Sequence, residues 1–305
     1  MIASESITMG TDNSHGDDRT WAERFQAFAT TKTAAAIAAE IPGYRTADTH
    51  ALAPGLLAIG NAWTSQYFDG PFFESPSSNP RLPAVNTVFV QSADGNTGAD
   101  DPTTLGGGAT DKHLIYEGLS SVHADAIISG AGTIRGSQIV MAVWHPEIVR
   151  LRASLGLDRF PAQVVATRDG HLGVESELLY NVPALRVFIL TTTSGARVVS
   201  ESVKTRPWIT VIDTGPSSNL VAGLETLHAT HGIRRVSSIG GRTLTTSLID
   251  AGVVQDLYLT TSPTPGGEPH TPFYSGAHSL RSRLVVKKIG RGSEAGVVFE
   301  HATLS

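Results

Sequence analysis

The sequence predicts an α/β domain in which helices flank a largely parallel sheet, over roughly residues 83–305. Short apolar runs rich in β-branched residues, each bounded by Gly, Pro or Asp, are typical of buried strands. Helical patterns stand between these runs, and such alternation is typical of βα units on a parallel sheet. The chain has 305 residues, 40% of them hydrophobic, which is enough to bury the core of such a domain.

The individual elements follow from these patterns in chain order. The apolar runs predict strands at 85–92, 124–130, 162–167, 185–192, 208–213, 236–241, 256–263 and 283–289. The periodic segments between them predict helices at 110–122, 145–155, 217–230 and 242–251. No internal repeat of 20–50 residues is visible, so a solenoid or propeller is not indicated.

The first 82 residues are predicted to be an extension that docks on the domain spanning 83–305. Residues 1–20 are polar without an apolar period, which predicts disorder. Residues 21–41 predict one or two helices, because aromatic residues and alanines recur at helical spacing before a Pro-Gly pair. From Leu52 to Arg81 the Pro and Gly content rises, and the segment PFFESPSSNPRLP, residues 71–83, predicts a linker.

Composition excludes several classes of protein. The net charge of −5 offers no overall attraction to nucleic acid or to an anionic membrane. The absence of cysteine excludes disulfides, thiolate catalysis and the Cys-bearing zinc site of nucleobase deaminases, and the histidine spacings predict no other metal site. No apolar run is long enough for a membrane span and no signal peptide is visible, so we expect a cytoplasmic protein.

Glycines follow one predicted strand in the segment ADAIISGAGTIRG. Gly130 and Gly132 lack a Cβ, which lets backbone N–H groups approach a phosphate. The segment is not the Rossmann fingerprint, because Arg135 stands at the position of its third glycine. Taken alone, the segment is more typical of a tight turn than of a nucleotide site.

A second pair of glycines separates a strand from a helix. Gly240 and Gly241 lie at the predicted start of the helix over 242–251, where the dipole and free N–H groups favour a phosphate, and Thr243 and Thr246 could add hydroxyl donors. Gly252 is predicted to end the helix, and three residues mark its core side: Leu244, Leu248 and Ala251. Glycines that serve only packing are the alternative, but two such sites in one chain favour nucleotide binding.

Three blocks of sequence together resemble a known family. VFVQSADGNTG, ADAIISGAGTIR and SSIGGRTLTTSLIDAGVVQDLYLTTSPTPGG are similar, in order and spacing, to motifs of the RibD C-terminal domain family, the reductase domain of bacterial riboflavin biosynthesis. The resemblance extends from Val85 to the C-terminus. It implies a dihydrofolate-reductase-like fold, with a mixed, mostly parallel sheet flanked by helices, and a homodimer.

The resemblance also implies NADPH as cofactor and assigns candidate roles by position. The residues expected to line or hold the cofactor are Gly130, Gly132, Thr133, Gly240, Gly241, Thr243 and Leu244. Ser92 and Asp94 are the catalytic candidates, at the end of the first strand, although an Asp in a Gly turn is also typical of an Asx turn. Arg135 and Arg168 are candidates for the 2′-phosphate of NADPH, with surface arginines as the alternative.

The function implied is that of an NADPH-dependent reductase similar to the 5-amino-6-(5-phosphoribosylamino)uracil reductase, which transfers a hydride to a C=N or C=O carbon of a small heterocyclic substrate. The family pattern has Glu before the Gly-Gly pair and Asp-Glu-Leu at the end of the third block, whereas this chain has Ile239 and Gln255-Asp256-Leu257. Because Ile239 is apolar where the family pattern has Glu, a polar contact with the substrate is expected to be lost. A dihydrofolate or pterin reductase, or a non-catalytic NADPH-binding protein, therefore remain open as alternatives.

Overall fold

The computed structural model describes residues 19–50, 55–135, 138–276 and 279–305. The disorder predicted for residues 1–20 lies almost wholly outside the described residues. Among the described residues, no helix combines the length and the apolar character that crossing a bilayer requires.

Helices and strands alternate through most of the described chain. The α-helices are α1 (Trp21–Ala38), α2 (Ala62–Phe68), α3 (Ala131–Ile134), α4 (Pro146–Ser154), α5 (Thr193–Val203), α6 (Leu220–His231) and α7 (Arg242–Asp250). The strands are β1 (Tyr44–Thr49), β2 (Leu57–Ile59), β3 (Phe72–Glu74), β4 (Ala84–Gln91), β5 (Ala126–Gly130), β6 (Ala162–Ala166), β7 (Val187–Thr191), β8 (Ile209–Asp213), β9 (Arg235–Ser238), β10 (Asp256–Thr261), β11 (Ser282–Gly290) and β12 (Val298–Leu304).

A ten-stranded sheet with the order β1-β11-β12-β10-β4-β9-β5-β6-β7-β8 organises the molecule. The strands from β10 to β8 in this order run parallel, whereas β12, β11 and β1 continue the sheet antiparallel. Leucines of α6 and α7 are buried against one face, and α4, α5 and the segment Thr110–Leu119 are buried against the other. The predicted fold class, a mixed and mostly parallel sheet flanked by helices, is confirmed.

The helix predicted over 110–122 takes a different form. Thr110–Leu119 is a π-helix, and Gly118 interrupts it with φ −136° and ψ −109°. A Cβ at Gly118 would lie 2.7 Å from Ile148 Cδ1 and 2.9 Å from the carbonyl oxygen of His113, so only glycine fits this contact. The sequence period does not distinguish an α-helix from a π-helix, because such bulges depend on local contacts.

The extension shares its core with the rest of the chain. β1 pairs antiparallel with β11 at the edge of the sheet. Tyr44, the first residue of β1, is fully buried, and its ring packs on Phe68 and Phe299 at centroid distances of 6.3 and 5.8 Å. The linker predicted at residues 71–83 is wrong at its start, where Phe72 and Phe73 are buried and β3 pairs antiparallel with β2. The rest of that segment lies outside helices and strands, as predicted.

Candidate active site

The parallel strands of the sheet bring several predicted residues to one edge. Ser92 follows β4, Ile239 follows β9, Gly130 ends β5, and Arg168 comes two residues after β6. Because β4, β9, β5 and β6 are neighbours and run parallel, their carboxyl ends meet at this edge. Ligands of open α/β sheets bind outside the carboxyl ends of the strands, so this edge is the candidate site.

The two glycine turns meet there. We call Gly130, Thr133, Gly240 and Gly241 the glycine cradle. Gly240 and Gly241 have φ of +127° and +82°, a region that glycine adopts far more readily than other residues. A Cβ on Gly241 would lie 3.7 Å from the backbone nitrogen of Gly130 and 3.7 Å from Thr133 Oγ1. A Cβ on Gly130, Gly132 or Gly240 would meet nothing within 4 Å, so bare backbone borders open space.

The start of α7 completes the cradle. Gly241 is the N-cap of α7, and its carbonyl oxygen accepts the N–H of Thr245 at 3.0 Å. The earlier N–H groups of a helix have no intrahelical acceptor, so those of the first turn point out of the helix end. Thr243 is exposed, whereas the side chain of Leu244 is buried in the core. Only the backbone of Leu244 is therefore placed to meet a phosphate.

Buried hydroxyl groups surround the cradle. Ser129 precedes Gly130, Ser238 is the last residue of β9, and Thr245 lies in α7. Their hydroxyl oxygens are buried and lack a hydrogen-bond partner among the described residues. Because these hydroxyls are fully buried, the groups of the cradle that fit the diphosphate of a dinucleotide are its bare backbone and the helix N-terminus.

The two candidate arginines lie at the ends of adjacent strands. Gly130 of β5 pairs with Ala166 of β6, so the turn that ends at Arg135 neighbours the turn that contains Arg168. Both side chains are exposed. The carbonyl oxygen of Arg168 accepts a hydrogen bond from Thr192 Oγ1 at 2.6 Å, which fixes the backbone of this turn.

The turn after β4 separates the roles of Ser92 and Asp94. Ser92 is buried, its N–H donates to the carbonyl oxygen of Asn96 at 2.9 Å, and its Oγ accepts the N–H of Asn96 at 3.3 Å. Asp94 is exposed, and its Oδ2 accepts the N–H of Gly266 at 3.1 Å. The hydroxyl of Ser92 thus shapes the turn, while the carboxylate of Asp94 faces solvent at the edge.

A small cavity of about 30 Å³ lies beside Ile239. We call it the recess. It is lined by apolar side chains, among them Ile239, Met141 and Trp144, and by the charged side chains of Lys32 and Glu117. Lys32 belongs to α1, so the extension contributes a wall of this cavity.

A buried acid that the sequence analysis did not select lies in the first turn of the π-helix. Burial raises the pKa of Asp111 to about 7, the nearby hydroxyl of Thr260 opposes this rise, and the charge of Glu294 adds to it. Asp111 Oδ1 has no hydrogen-bond partner among the described residues. A Cβ built on Gly107 would lie 3.0 Å from Asp111 Oδ2 and 2.8 Å from Val90 Cγ2, which places Asp111 beneath the end of β4.

The family comparison decides the assignment. The model of the RibD C-terminal domain matches residues 83–296. The chain belongs to the RibD C-terminal domain family. The predicted resemblance is confirmed, and membership of this reductase family makes the chain an oxidoreductase. A comparison with curated protein sequences finds no match.

Solved structures share the fold of this RibD C-terminal domain. A pyrimidine reductase-like protein of Corynebacterium diphtheriae has 21% identity and a TM-score of 0.55, over 73% of this chain and 92% of its own. The riboflavin biosynthesis reductase Rib7 of Saccharomyces cerevisiae has 16% identity and a TM-score of 0.53, over 75% and 92%. The bifunctional deaminase and reductase of Thermotoga maritima has 18% identity and a TM-score of 0.52, over 74% and 57%.

Within this RibD C-terminal domain, the structure brings the two glycine segments together and places both arginines at the same edge. It separates Leu244, whose side chain belongs to the core, from the open face of the cradle. Asp111, Glu117 and Lys32 are not among the residues that the sequence predicts for the site. A carboxylate in the first turn of the predicted helix is a local signal for Asp111, whereas the pairing of Lys32 with Glu117 has no local signal.

Proposed function

We propose that this RibD C-terminal domain is an NADPH-dependent reductase that delivers a hydride to a C=N or C=O carbon of a small heterocyclic substrate. The observation that carries the proposal is the contact between the two glycine turns, where Gly241 faces the backbone nitrogen of Gly130 and the hydroxyl of Thr133. Backbone N–H groups and a helix N-terminus at one strand edge suit a diphosphate.

Each part of the edge has a role in this proposal. The cradle and the first turn of α7 hold the diphosphate, and Arg135 and Arg168 meet the 2′-phosphate, because a guanidinium pairs with phosphate in a bidentate manner. NADPH, when bound, supplies the hydride. The substrate heteroatom must gain a proton, and two acids at this edge could donate it: Asp111, with a pKa of about 7, and the exposed Asp94.

The substrate class is proposed as a pyrimidine of the riboflavin pathway, similar to 5-amino-6-(5-phosphoribosylamino)uracil. The names of the solved relatives, a pyrimidine reductase-like protein and a riboflavin biosynthesis reductase, support this choice. A pterin-type ring is the second candidate. It is favoured by Ile239, which is 8% exposed and presents an apolar surface to the recess where the family pattern has Glu.

A titration followed by a substrate panel tests the proposal. The purified chain should bind NADPH more tightly than NADH, and a pyrimidine or pterin substrate should cause oxidation of NADPH at its absorbance band. Failure to bind either nicotinamide cofactor would overturn the assignment of the cradle. Binding of NADPH without turnover of any compound in the panel would favour the non-catalytic alternative.

We also propose a cytoplasmic homodimer as the working form. The resemblance to the family supports the dimer, and symmetric dimers are the commonest assemblies of soluble enzymes. Sedimentation of the purified chain should give twice the mass of 32.1 kDa. A mass of one chain at micromolar concentration would contradict the dimer.

A further inference from the structure

The recess contains an ion pair that joins two distant parts of the chain. Lys32 Nζ of α1 lies 2.7 Å from Glu117 Oε1, and the side chains are 30% and 9% exposed. The second carboxylate oxygen, Glu117 Oε2, lies 3.1 Å from Nδ1 of the buried His113. Both oxygens of Glu117 are therefore held in fixed positions at the wall of the recess.

Glu117 is ionised at neutral pH. Burial alone would raise the pKa of its carboxyl group, but the hydrogen bond with His113 and the charge of Lys32 outweigh burial and hold the pKa below its usual range. An ionised carboxylate only accepts hydrogen bonds, and its two oxygens offer about four acceptor positions. Lys32 and His113 occupy two of them, so the carboxylate retains capacity to accept N–H groups.

The recess connects Glu117 with the candidate site. Ile239 and Glu117 line the same cavity, and Ile239 directly precedes Gly240 and Gly241 of the cradle. The N–H of Ile239 donates to the carbonyl oxygen of Ile128 at 3.1 Å, which fixes the strand end that separates recess from cradle. A volume of about 30 Å³ accommodates the polar edge of a ring, an amino group with the neighbouring ring N–H, and not the whole ring.

We propose that Glu117, held by Lys32 of the extension and by His113, is a specificity-determining residue that accepts N–H groups from an amino-substituted edge of the heterocyclic substrate. This inference rests on the proposed function, because it takes the recess to belong to the substrate site. An exocyclic amino group beside a ring N–H presents two donors to the carboxylate. A carbonyl group at the same position presents an acceptor, which the carboxylate repels.

Within the pyrimidine class proposed above, the preferred ring is therefore an aminopyrimidinone, which carries an amino group where the uracil ring has a carbonyl. The pterin-type ring of the second candidate carries such an amino group as well. Isocytosine and uracil are suitable probes, because they differ only by an amino group in place of a carbonyl oxygen beside a ring nitrogen. A charge-assisted hydrogen bond gained in one complex and lost in the other corresponds to a roughly 10-fold to 100-fold difference in affinity. We expect the NADPH-loaded protein to prefer isocytosine by this factor.

Variants of Glu117 and Lys32 distinguish recognition of the substrate by Glu117 from a role in which Glu117 only attaches α1 to the domain. Glu117→Gln should reduce the preference for isocytosine over uracil to about twofold or less, because a neutral amide both donates and accepts. Lys32→Met should leave that preference largely intact, because the carboxylate remains. Glu175→Gln is the control, since it breaks an ion pair of the same 2.7 Å length, with Arg206, outside the recess.

The measurement is the dissociation constant of each probe by ligand-observed NMR, with NADPH binding followed separately by fluorescence. An equal preference in wild type and Glu117→Gln would overturn the inference and leave Glu117 as an anchor for α1. Tighter binding of uracil would show that Lys32 recognises a carbonyl, which also overturns it. Failure of NADPH to bind, with the isocytosine preference retained in its absence, would instead reject the proposed function and leave the recognition by Glu117 standing.

Discussion

Asp111 and Glu294 are two buried carboxyl groups beside the turn formed by Gly107 and Gly108. Glu294 Oε1 accepts the backbone N–H of Thr110 at 3.1 Å, immediately before Asp111 in the chain. Asp111 Oδ1 and Glu294 Oε2 are both buried without a partner among the described residues. The two carboxyl groups therefore share one poorly solvated neighbourhood, and ionising both is unfavourable.

Replacing Asp111 by Asn should change how stability depends on pH. The folded-state pKa of Asp111, about 7, lies above its ordinary value of 3.8, so its contribution to stability is fully present below that value and is lost as pH rises through about 7. Asparagine does not titrate, so Asp111→Asn abolishes this loss of stability at higher pH. Relative to wild type, we expect the variant to gain about 2–4 kcal/mol in free energy of unfolding between about pH 4 and pH 8.

Urea unfolding of both proteins across this pH range measures the difference. Asp94→Asn is the control, because it makes the same substitution at an exposed position. A constant difference between Asp111→Asn and wild type would mean that Asp111 titrates alike in the folded and unfolded states.

A side chain at Gly241 should block the cradle. A valine there would stand between the backbone nitrogen of Gly130 and any bound diphosphate, and it would also strain a backbone with φ of +82°. We expect Gly241→Val to weaken NADPH binding by about 2 kcal/mol or more, the loss of one or two charge-assisted hydrogen bonds. Gly232→Val is matched for strain, with φ of +71° at the end of α6, and should retain NADPH affinity in the same fluorescence titration. Wild-type affinity in a folded Gly241→Val protein would place the cofactor elsewhere.

Removing the guanidinium that meets the 2′-phosphate should reduce the preference for NADPH over NADH. Arg135→Gln and Arg168→Gln each test one candidate, and loss of a bidentate phosphate contact should lower the ratio of the two dissociation constants about tenfold. Arg150→Gln, on the exposed side of α4, is the control. If neither variant alters the ratio of the NADH and NADPH dissociation constants, another group binds the 2′-phosphate or the protein does not distinguish the cofactors.

The parallel part of the fold is predictable from the sequence, because each of its strands is a short apolar run bounded by turn residues. The strand predicted at 85–92 is Ala84–Gln91, and the strand predicted at 124–130 ends at Gly130 as expected. Two strands of the antiparallel edge, β1 and β12, are not predicted from the sequence. β1 (YRTADT) is mostly polar, and adjacent polar residues interrupt the apolar run of β12 (VFEHATL). Their formation depends on pairing with β11, which sequence period alone does not reveal.

The candidate site likewise has one part that the sequence predicts and one part that it does not. Its glycines were predictable, since a missing Cβ at a strand end is a local property with a direct backbone consequence. The recess was not predictable, because Lys32 and Glu117 are 85 positions apart and meet only after α1 packs on the domain. The departure from the family pattern at Ile239 predicts the loss of a polar contact, but in the structure Glu117 places a carboxylate in the cavity that Ile239 lines.

This proximity leads to a last prediction, for Ile239→Glu. The new carboxyl group would enter the cavity that Glu117 lines, where position 239 is 8% exposed and surrounded by apolar side chains. Burial and the charge of Glu117 would both raise its folded-state pKa, so the stability of the variant should be highest at low pH and fall as pH rises. Ile239→Gln is the matched control, because it buries a similar polar group that does not titrate. We expect Ile239→Glu to be less stable than Ile239→Gln by about 2–4 kcal/mol near pH 8 and about equal to it near pH 4, measured by urea unfolding. A difference between the two variants that does not change with pH would show that the new carboxylate pairs with Lys32 or reaches solvent, and that Glu117 does not control the charge state of the recess.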